Sequence, residues 1–556
     1  MPDCHVSTTT HLLMRSSHPH TFLAFVLFGI IAASGVAEIA DRPTTVRAIG
    51  SRLEPIVDRY LIDTLSNTEL RLNHPTDAGT VLRFDRPWEG DFCNYLTVLK
   101  DGPTYRLYYR GLPVAGPDGG PKETTCYAES DDGITWRKPE LGLFVVNGNR
   151  RNNVILDHSF SPVPHNFCPM IDTRPGVPAD ERYKGLGGLY NFRDANGKLV
   201  ISDGLQAFAS PDGIHWRRLR PAAVITRENY PVVTSDSSLT PSFWSESEGC
   251  YVAYLRTWRE PATGALARQH GPGDIRWIGR VTSTDFIHWS KIEMMNFGDA
   301  PLDQLYNNVT SPYFRAPHLY LGAPPLIVFD RPLVTPEQAR AIGVDPDQSR
   351  DASEPVLISS RGGTRYDRTF LEPFIPNGIG PENWTSRNNY SALNFVPTGR
   401  NEMSVYIEQA YAQPGIHVQR YVLPLDRFAS VHATMAGGEC TTHPLTFSGR
   451  SLYLNYSTSV NGSIRVEVQD AAGQPIPGFA LADSIEIVGN EIEHAAAWKS
   501  GANAHPRTWQ GDPSRASRQV DFIDWAGGDD LSRLAGTPIR LRFVLKGADL
   551  YALRFR

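Results

Sequence analysis

This chain is poor in the features that mark metal, nucleotide and nucleic-acid chemistry. Its six cysteines (Cys4, Cys93, Cys126, Cys168, Cys250 and Cys440) include no C-x-x-C pair, which removes the commonest structural zinc spacing. No loop carries the alternating carboxylates that calcium needs, so no metal site is expected. Lys and Arg number 54 against 60 Asp and Glu, a formal charge of −6. Without a basic stripe, a nucleic-acid partner has no electrostatic footprint. Nothing calls for a nucleotide or redox cofactor, and none is expected. Long apolar runs are missing too, with one exception. The stretch from Thr21 to Ala37 is apolar and ends in small residues, with Arg15 and His18 upstream and no acid after Asp3. Its uninterrupted core is shorter than the roughly 20 residues a membrane span needs. Residues 1–37 therefore read as an export signal cleaved near Ala37. The alternative is a retained membrane anchor. Either way the body of the chain is expected outside the cytoplasm, periplasmic or extracellular. Loss of Cys4 with the signal leaves five cysteines, so at least one thiol stays unpaired or intermolecular. A bridge among Cys93, Cys126 and Cys168 and a set of small buried apolar residues both remain open.

A short phrase recurs in this chain. Ser130-Asp131-Asp132-Gly133-Ile134-Thr135-Trp136 returns as Ser210-Pro211-Asp212-Gly213-Ile214-His215-Trp216 and as Ser283-Thr284-Asp285-Phe286-Ile287-His288-Trp289. A worn copy runs from Ser359 to Tyr366. The aromatic positions are 80, 73 and 77 residues apart. Self-similarity at this period indicates one repeated supersecondary unit. Ser and Asp close a tight turn on their own backbone, Gly supplies positive φ, and the Trp starts an outer strand. Alternating aromatic stretches such as Tyr105-Arg106-Leu107-Tyr108-Tyr109-Arg110 read as half-buried strands. Five strand groups fit between residues 81 and 429, and the fold class expected is all-β: a five-bladed β-propeller followed by a C-terminal β-sandwich. The divisions are 38–80 as a lead-in segment, 81–429 as the propeller and 430–556 as the sandwich. Val334 to Arg350 reads as one short helix and a loop, with Thr335 as cap and Pro336 at the first helical position. Gly501 to Asp530, polar and rich in Gly and Pro, reads as a surface loop.

A five-bladed propeller followed by a sandwich on an exported chain resembles glycoside hydrolase families 32 and 43. Arg86-Pro87-Trp88-Glu89-Gly90, Cys126-Tyr127-Ala128-Glu129-Ser130, Tyr313-Phe314-Arg315-Ala316-Pro317-His318 and Arg387-Asn388-Asn389-Tyr390 resemble family 32-like exported proteins of planctomycete-type bacteria. The resemblance spans nearly everything from Ser51 onward. It implies cleavage of glycosidic bonds in a poly- or oligosaccharide by carboxyl groups gathered in the propeller channel. One carboxyl gives a proton while the other attacks or activates water.

Mapped onto this chain, the resemblance makes Asp91 the candidate nucleophile or base, with Glu89 as the neighbour able to replace it. Asp236 on the third blade would be the second Asp, and Glu123 the general acid. The second blade departs from the pattern, carrying His165 and Asn166 where a carboxylate is expected. The invertase-type Trp-Met-Asn-Asp-Pro, Arg-Asp-Pro and Glu-Cys phrases are absent. Trp88, His165, Asn166, Arg256, Asn307, Arg315, Arg387 and Asn388 are the candidate substrate-binding residues. Arg110, Arg256, Arg315 and Arg387 recur near strand ends. Gathered at one funnel they would favour a saccharide bearing uronate or sulfate; dispersed, they would be inter-blade ion pairs. The alternative to hydrolysis is a non-catalytic glycan-binding or surface-interaction propeller, distinguished by the absence of two channel carboxyls. A third reading, sialidase-like, wants an arginine cluster with a Tyr nucleophile, for which Tyr306 and Tyr390 stand out.

Overall fold

Five antiparallel sheets follow one another along the chain, each built from a central strand buried on both faces. In Thr104–Gly111, Tyr105, Leu107 and Tyr109 enter one core with Ala392, Tyr406 and Val418 of the last sheet. Tyr108, pointing the other way, packs with Tyr183 of the next sheet. This period-2 exchange of faces lets one strand join two neighbouring blades. The computed structural model describes residues 45–556 except 195, 232–237, 268–270, 272, 500–504, 509–522 and 527, and only the backbone course of 505–508 and 523–526. The expected export segment, Cys4 and Asp236 lie outside the described residues.

Blade one pairs Asn94–Asp101, Thr104–Gly111, Thr124–Ser130 and Val154–Leu156. Blade two pairs Cys168–Ile171, Tyr183–Gly187, Gly204–Ser210 and Arg217–Arg218. Blade three pairs Ser242–Ser245, Cys250–Arg259, Ile275–Ser283 and Glu293–Met294. Blade four pairs Ser311–Tyr313, Ala316–Gly322 and Ile358–Ser360. Blade five pairs Tyr390–Ser391, Glu402–Gln409 and His417–Pro424, and Thr76–Arg83 from the start of the chain completes it. That last pairing covers the exposed edge of the fifth sheet and closes the ring.

The repeated phrase forms the same turn three times. In the second copy the Ser210 hydroxyl accepts from Gly213 N at 2.9 Å, and Asp212 accepts from Ile214 N and His215 N at 2.9 and 2.8 Å. The third copy replaces Gly with Phe286 yet keeps its positive φ of 68°. The turns also lock neighbouring blades. Tyr406 of blade five donates to Gly133 O at 2.6 Å, and Tyr108 of blade one donates to Gly213 O at 3.0 Å. Asp212→Ala is expected to cost about 1 kcal/mol, the usual value of a side chain satisfying two orphan amides. Chemical denaturation measures it.

The four strands Arg47–Gly50, Glu54–Pro55, Ile62–Ser66 and Glu69–Leu72, expected in a lead-in segment, pair instead with C-terminal strands in a ten-stranded sheet. Its spine is the long antiparallel pair Leu452–Asp470 and Ile539–Phe555. One core gathers Ile49 and Leu61 with Val466, Trp498 and Phe543. Between residues 501 and 530, where a plain loop is expected, His505–Thr508 pairs with Ile523–Ala526. Pro336–Ala341 is the expected helix, and Thr335 and Gln338 form its capping box. All five described cysteines are free, so the bridge left open among Cys93, Cys126 and Cys168 does not form. No described helix is long and apolar enough to cross a membrane.

The propeller axis is plugged. Tyr95, Cys168, Leu239, Val309 and Leu393, one from each blade, pack into a small apolar cluster. The innermost strands run past it, leaving a separate recess on either side.

Candidate functional site

One of these recesses is a cavity of about 300 Å³ lined by Arg110, Arg256, Arg276 and Arg387, by Tyr95, Tyr306 and Tyr411, and by Asn94, Gln348 and Asp118. Asp118 is the one described carboxylate on that lining, against four guanidinium groups. The strand order explains the gathering. Arg110 is the penultimate residue of the second strand of blade one, opposite Asn94. Arg256 and Arg276 sit on adjacent strands of blade three, paired with Ile278 and Trp258. Arg387 and Tyr95 reach the cavity from left-handed backbone, with φ of 55° and 62°. Such conformations cost bulky side chains energy and cluster at functional sites.

Arg276 is the most unusual group. It is 7% exposed, its Nε and Nη1 are buried without a hydrogen-bond acceptor, and no described carboxylate pairs with it. Its neighbours are rings: Trp258 at 5.1 Å, Tyr306 at 4.3 Å and Phe329 at 5.5 Å. Burial and the adjacent Arg256 push its pKa down to about 10, which leaves it charged at neutral pH. Arg110 donates from Nη2 to Phe92 O at 3.1 Å and lies 4.8 Å above the Tyr95 ring; its Nε has no acceptor. Arg387 stands 5.7 Å from the Tyr306 ring and 5.8 Å from that of Tyr411.

These cations set the tyrosines apart. Burial raises the Tyr306 phenol, but Arg387, Arg276 and Arg256 outweigh it and hold the group at about 8. Tyr95 is pushed the other way, by burial and then by Tyr306 itself. Beside the cavity, His165 stands between two carboxylates, with Nδ1 2.7 Å from Glu123 Oε1 and Nε2 3.9 Å from Asp118 Oδ2. Burial lowers the imidazole pKa; Glu123 and Asp118 more than reverse that, and the net shift is upward. Glu408, fully buried near Arg110, has no partner for either oxygen, and burial raises its pKa well above the ordinary carboxylate range. Among the described residues no group of His, Cys, Asp and Glu is arranged to hold a metal ion.

Of the residues singled out in the sequence, Arg256 and Arg387 line the cavity, and so does Arg110. Several others belong elsewhere. Glu89 is fully buried inside blade one, where it accepts from Tyr109 at 2.6 Å and from Lys138 at 2.6 Å. Trp88 joins the same network, donating to Asn153 Oδ1 at 2.8 Å. Asn166 spends its amide on Gly188 N, Gly188 O and Ser238 O. Asn388 spends its amide on Ala410 N and Glu382 O. Arg315 pairs with Asp426 at 2.9 Å and Glu493 at 3.4 Å, tying blade four to the C-terminal sheet. Glu123 is 2% exposed and also accepts from Gly119 N at 2.9 Å, so it supports His165 and does not face the cavity. His165 stands behind Arg110, with Nδ1 3.3 Å from Nη1. Asn307 is buried with Oδ1 unpartnered, off the lining. Asp91 is half-buried beside Phe92, which does line the cavity; burial raises its carboxyl, and its own backbone carbonyl accepts from Ala412 N at 2.7 Å. It too is off the lining. Tyr306 was legible through its link to arginines; Arg276, Tyr95, Tyr411 and Asp118 carried no phrase that would have marked them.

No protein-family profile matches the chain, and no curated protein sequence does. Solved structures with a similar course exist at low identity. A thermostable family-43 glycoside hydrolase shares 12% identity at a TM-score of 0.34, over 63% of this chain and 91% of that one. An N-acetylgalactosamine deacetylase from F. plautii, solved with blood group B trisaccharide, shares 11% at 0.38, over 64% and 96%. A fructofuranosidase variant from Schwanniomyces occidentalis, complexed with fructosylnystose, shares 10% at 0.36, over 87% and 99%. Likeness at this level says nothing about the reaction, and the blade count rests on the strand pairing of this chain.

Proposed function

We propose that this protein is an exported carbohydrate-active propeller whose axial cavity binds the carboxylate or sulfate group of an acidic saccharide. The observation that carries this reading is Arg276: a buried guanidinium with two unbonded N–H positions and no described counter-charge. Burying an unpaired charge costs several kcal/mol unless a partner arrives. An anionic ligand supplies that partner, and the planar fork of each guanidinium suits carboxylate or sulfate bidentately. Tyr95, Tyr306 and Tyr411 add phenol groups to the lining, able to hydrogen-bond a saccharide. A two-carboxylate hydrolytic centre is less well supported, because Asp118 has no second described carboxylate opposite it on the lining.

Calorimetric titration of the purified protein with oligogalacturonate, a sulfated oligosaccharide and a neutral cello-oligosaccharide tests the reading. An anionic ligand is expected to bind at least about tenfold tighter than the neutral one, equivalent to one charge-assisted contact, and to weaken as salt rises. Equal affinity for charged and neutral forms would remove the proposal.

A further inference from the structure

The charge on the cavity lining bears on the kind of reaction it can support. Cleavage of a glycosidic bond by hydrolysis passes through an oxocarbenium-like state, with positive charge developing on the sugar ring. Four guanidinium groups against one described carboxylate oppose that charge. The same four favour a reaction in which negative charge accumulates beside a carboxylate. Elimination next to a uronate is such a reaction: arginines that hold the carboxylate acidify the neighbouring C–H and stabilise the enolate-like state. A base and an acid are also needed, and the cavity offers two buried phenols in opposed environments, Tyr306 among Arg276, Arg256 and Arg387, and Tyr95 against the apolar plug.

We propose that the cavity catalyses β-elimination on a 4-linked hexuronate, the Tyr306 phenolate taking the C5 proton while the Tyr95 phenol protonates the departing oxygen. The C5–H electron pair becomes the C4–C5 double bond, the C4–O4 bond breaks, and O4 leaves as the hydroxyl of the released chain. Tyr306 ends protonated and Tyr95 ionised; proton exchange through solvent restores both, so no oxidant or water is consumed. This step rests on the reading that the arginines hold a carboxylate. The groups acting on Tyr306 are Arg387, Arg276, Arg256, Asp118, Tyr95 and Tyr390. Their balance holds the phenol near 8, within reach of a working base.

The test incubates the full chain with polygalacturonate, alginate, heparosan and a sulfated oligosaccharide, following binding by calorimetry and products by ultraviolet absorbance and mass spectrometry. Elimination is expected to give a conjugated, ultraviolet-absorbing end on one product, lighter by one water than the hydrolysis product. Its rate should rise with pH through about 8. Tyr306→Phe is expected to lose at least about a hundredfold in rate, the usual worth of a general base, and to retain binding. If that variant does not fold, the wild-type pH limb and product mass still decide. Saturated, water-added products, or binding of these polyuronates without cleavage, would overturn the elimination and leave the acidic-saccharide reading intact. Binding of sulfated but not uronate chains would do the same. Failure to bind any of the anionic chains would overturn both.

Discussion

Arg276→Met is expected to make the ligand-free protein more stable and to remove its affinity for acidic saccharides. The two effects have one cause. Arg276 is 7% exposed, its Nε and Nη1 meet no acceptor, and its neighbours are the rings of Trp258, Tyr306 and Phe329. A thioether of similar length fills that aromatic site without a charge to desolvate. Replacing buried ionic groups by apolar ones of similar volume commonly stabilises a fold by about 1–4 kcal/mol. Truncating one partner of a buried, hydrogen-bonded charge pair costs about 2–5 kcal/mol of binding, a loss of tenfold for each ~1.4 kcal/mol. Thermal unfolding of the free variant and calorimetry with oligogalacturonate read the two signs separately. A variant that is destabilised when free, or that binds the uronate as tightly as the parent, would show that Arg276 serves packing alone. The variant has a third consequence: with one of its three cations gone, the Tyr306 phenol should titrate above its present value of about 8. Ultraviolet titration of the tyrosines should show it.

The propeller was legible because its signal is local. Ser210, Asp212 and Gly213 satisfy one another within four residues, so the turn is written in the phrase itself and the same phrase marks blades one, two and three. Phe286 shows how far the phrase can drift: a bulky residue takes the φ of 68° that Gly133 and Gly213 adopt at 74° and 76°, and the turn survives. Strand membership at the two ends of the chain was less legible. Arg47–Gly50 and Thr76–Arg83 look alike as short strands, yet the first pairs with Leu445–Phe447 and the second with His417–Pro424. These pairings span more than 300 residues of chain, and no local pattern encodes them.

The site was only half legible, for a related reason. Arg110, Arg256 and Arg387 stood out because arginines recur near strand ends, and all three line the cavity. Glu89 and Trp88 stood beside Asp91 in the sequence, but a turn sends them into the blade, where Asn153, Tyr109 and Lys138 absorb their polar atoms. Whether a carboxylate near a strand start faces the axis or the blade depends on partners far along the chain, for Glu89 20 and 49 residues away. The sense of the charge could be read only after assembly. One strand-end arginine is unremarkable, but Arg110, Arg256, Arg276 and Arg387 gather at one recess, with Asp118 the one carboxylate among the described lining residues.

Glu54→Gln is expected to have the largest effect on stability, through the contact between the C-terminal sheet and blade four. Glu54 is fully buried and receives Arg361 Nη1 at 2.7 Å and Arg52 Nε at 2.6 Å, with His318 Nε2 3.2 Å away. Arg361 belongs to the worn copy of the repeated phrase. It follows Ser360 directly, where the other copies carry Asp131, Pro211 and Thr284, and it also reaches Asp58 at 3.3 Å. Burial raises the Glu54 carboxyl, but His318, Arg361 and Arg52 bring it down from 4.5 to about 2. A carboxyl depressed on folding contributes stability that is fully present above its unfolded pKa of about 4.5 and lost as pH falls through about 2. At 1.36 kcal/mol per pH unit the shift corresponds to about 3 kcal/mol at neutral pH, in line with the ~3–5 kcal/mol expected when one partner of a buried pair is removed. The variant should therefore be less stable by about that amount at pH 7. The gap should narrow as pH is lowered from 4.5 toward 2, because protonation costs the parent what the variant has already lost. Denaturant unfolding at a series of pH values measures both, and a constant difference across that range would show that Glu54 acts through shape and not through charge. Loss of the carboxylate also leaves Asp58 as the one acid paired with Arg361, so the sheet and the propeller should begin to unfold in separate steps where a single transition is expected of the parent.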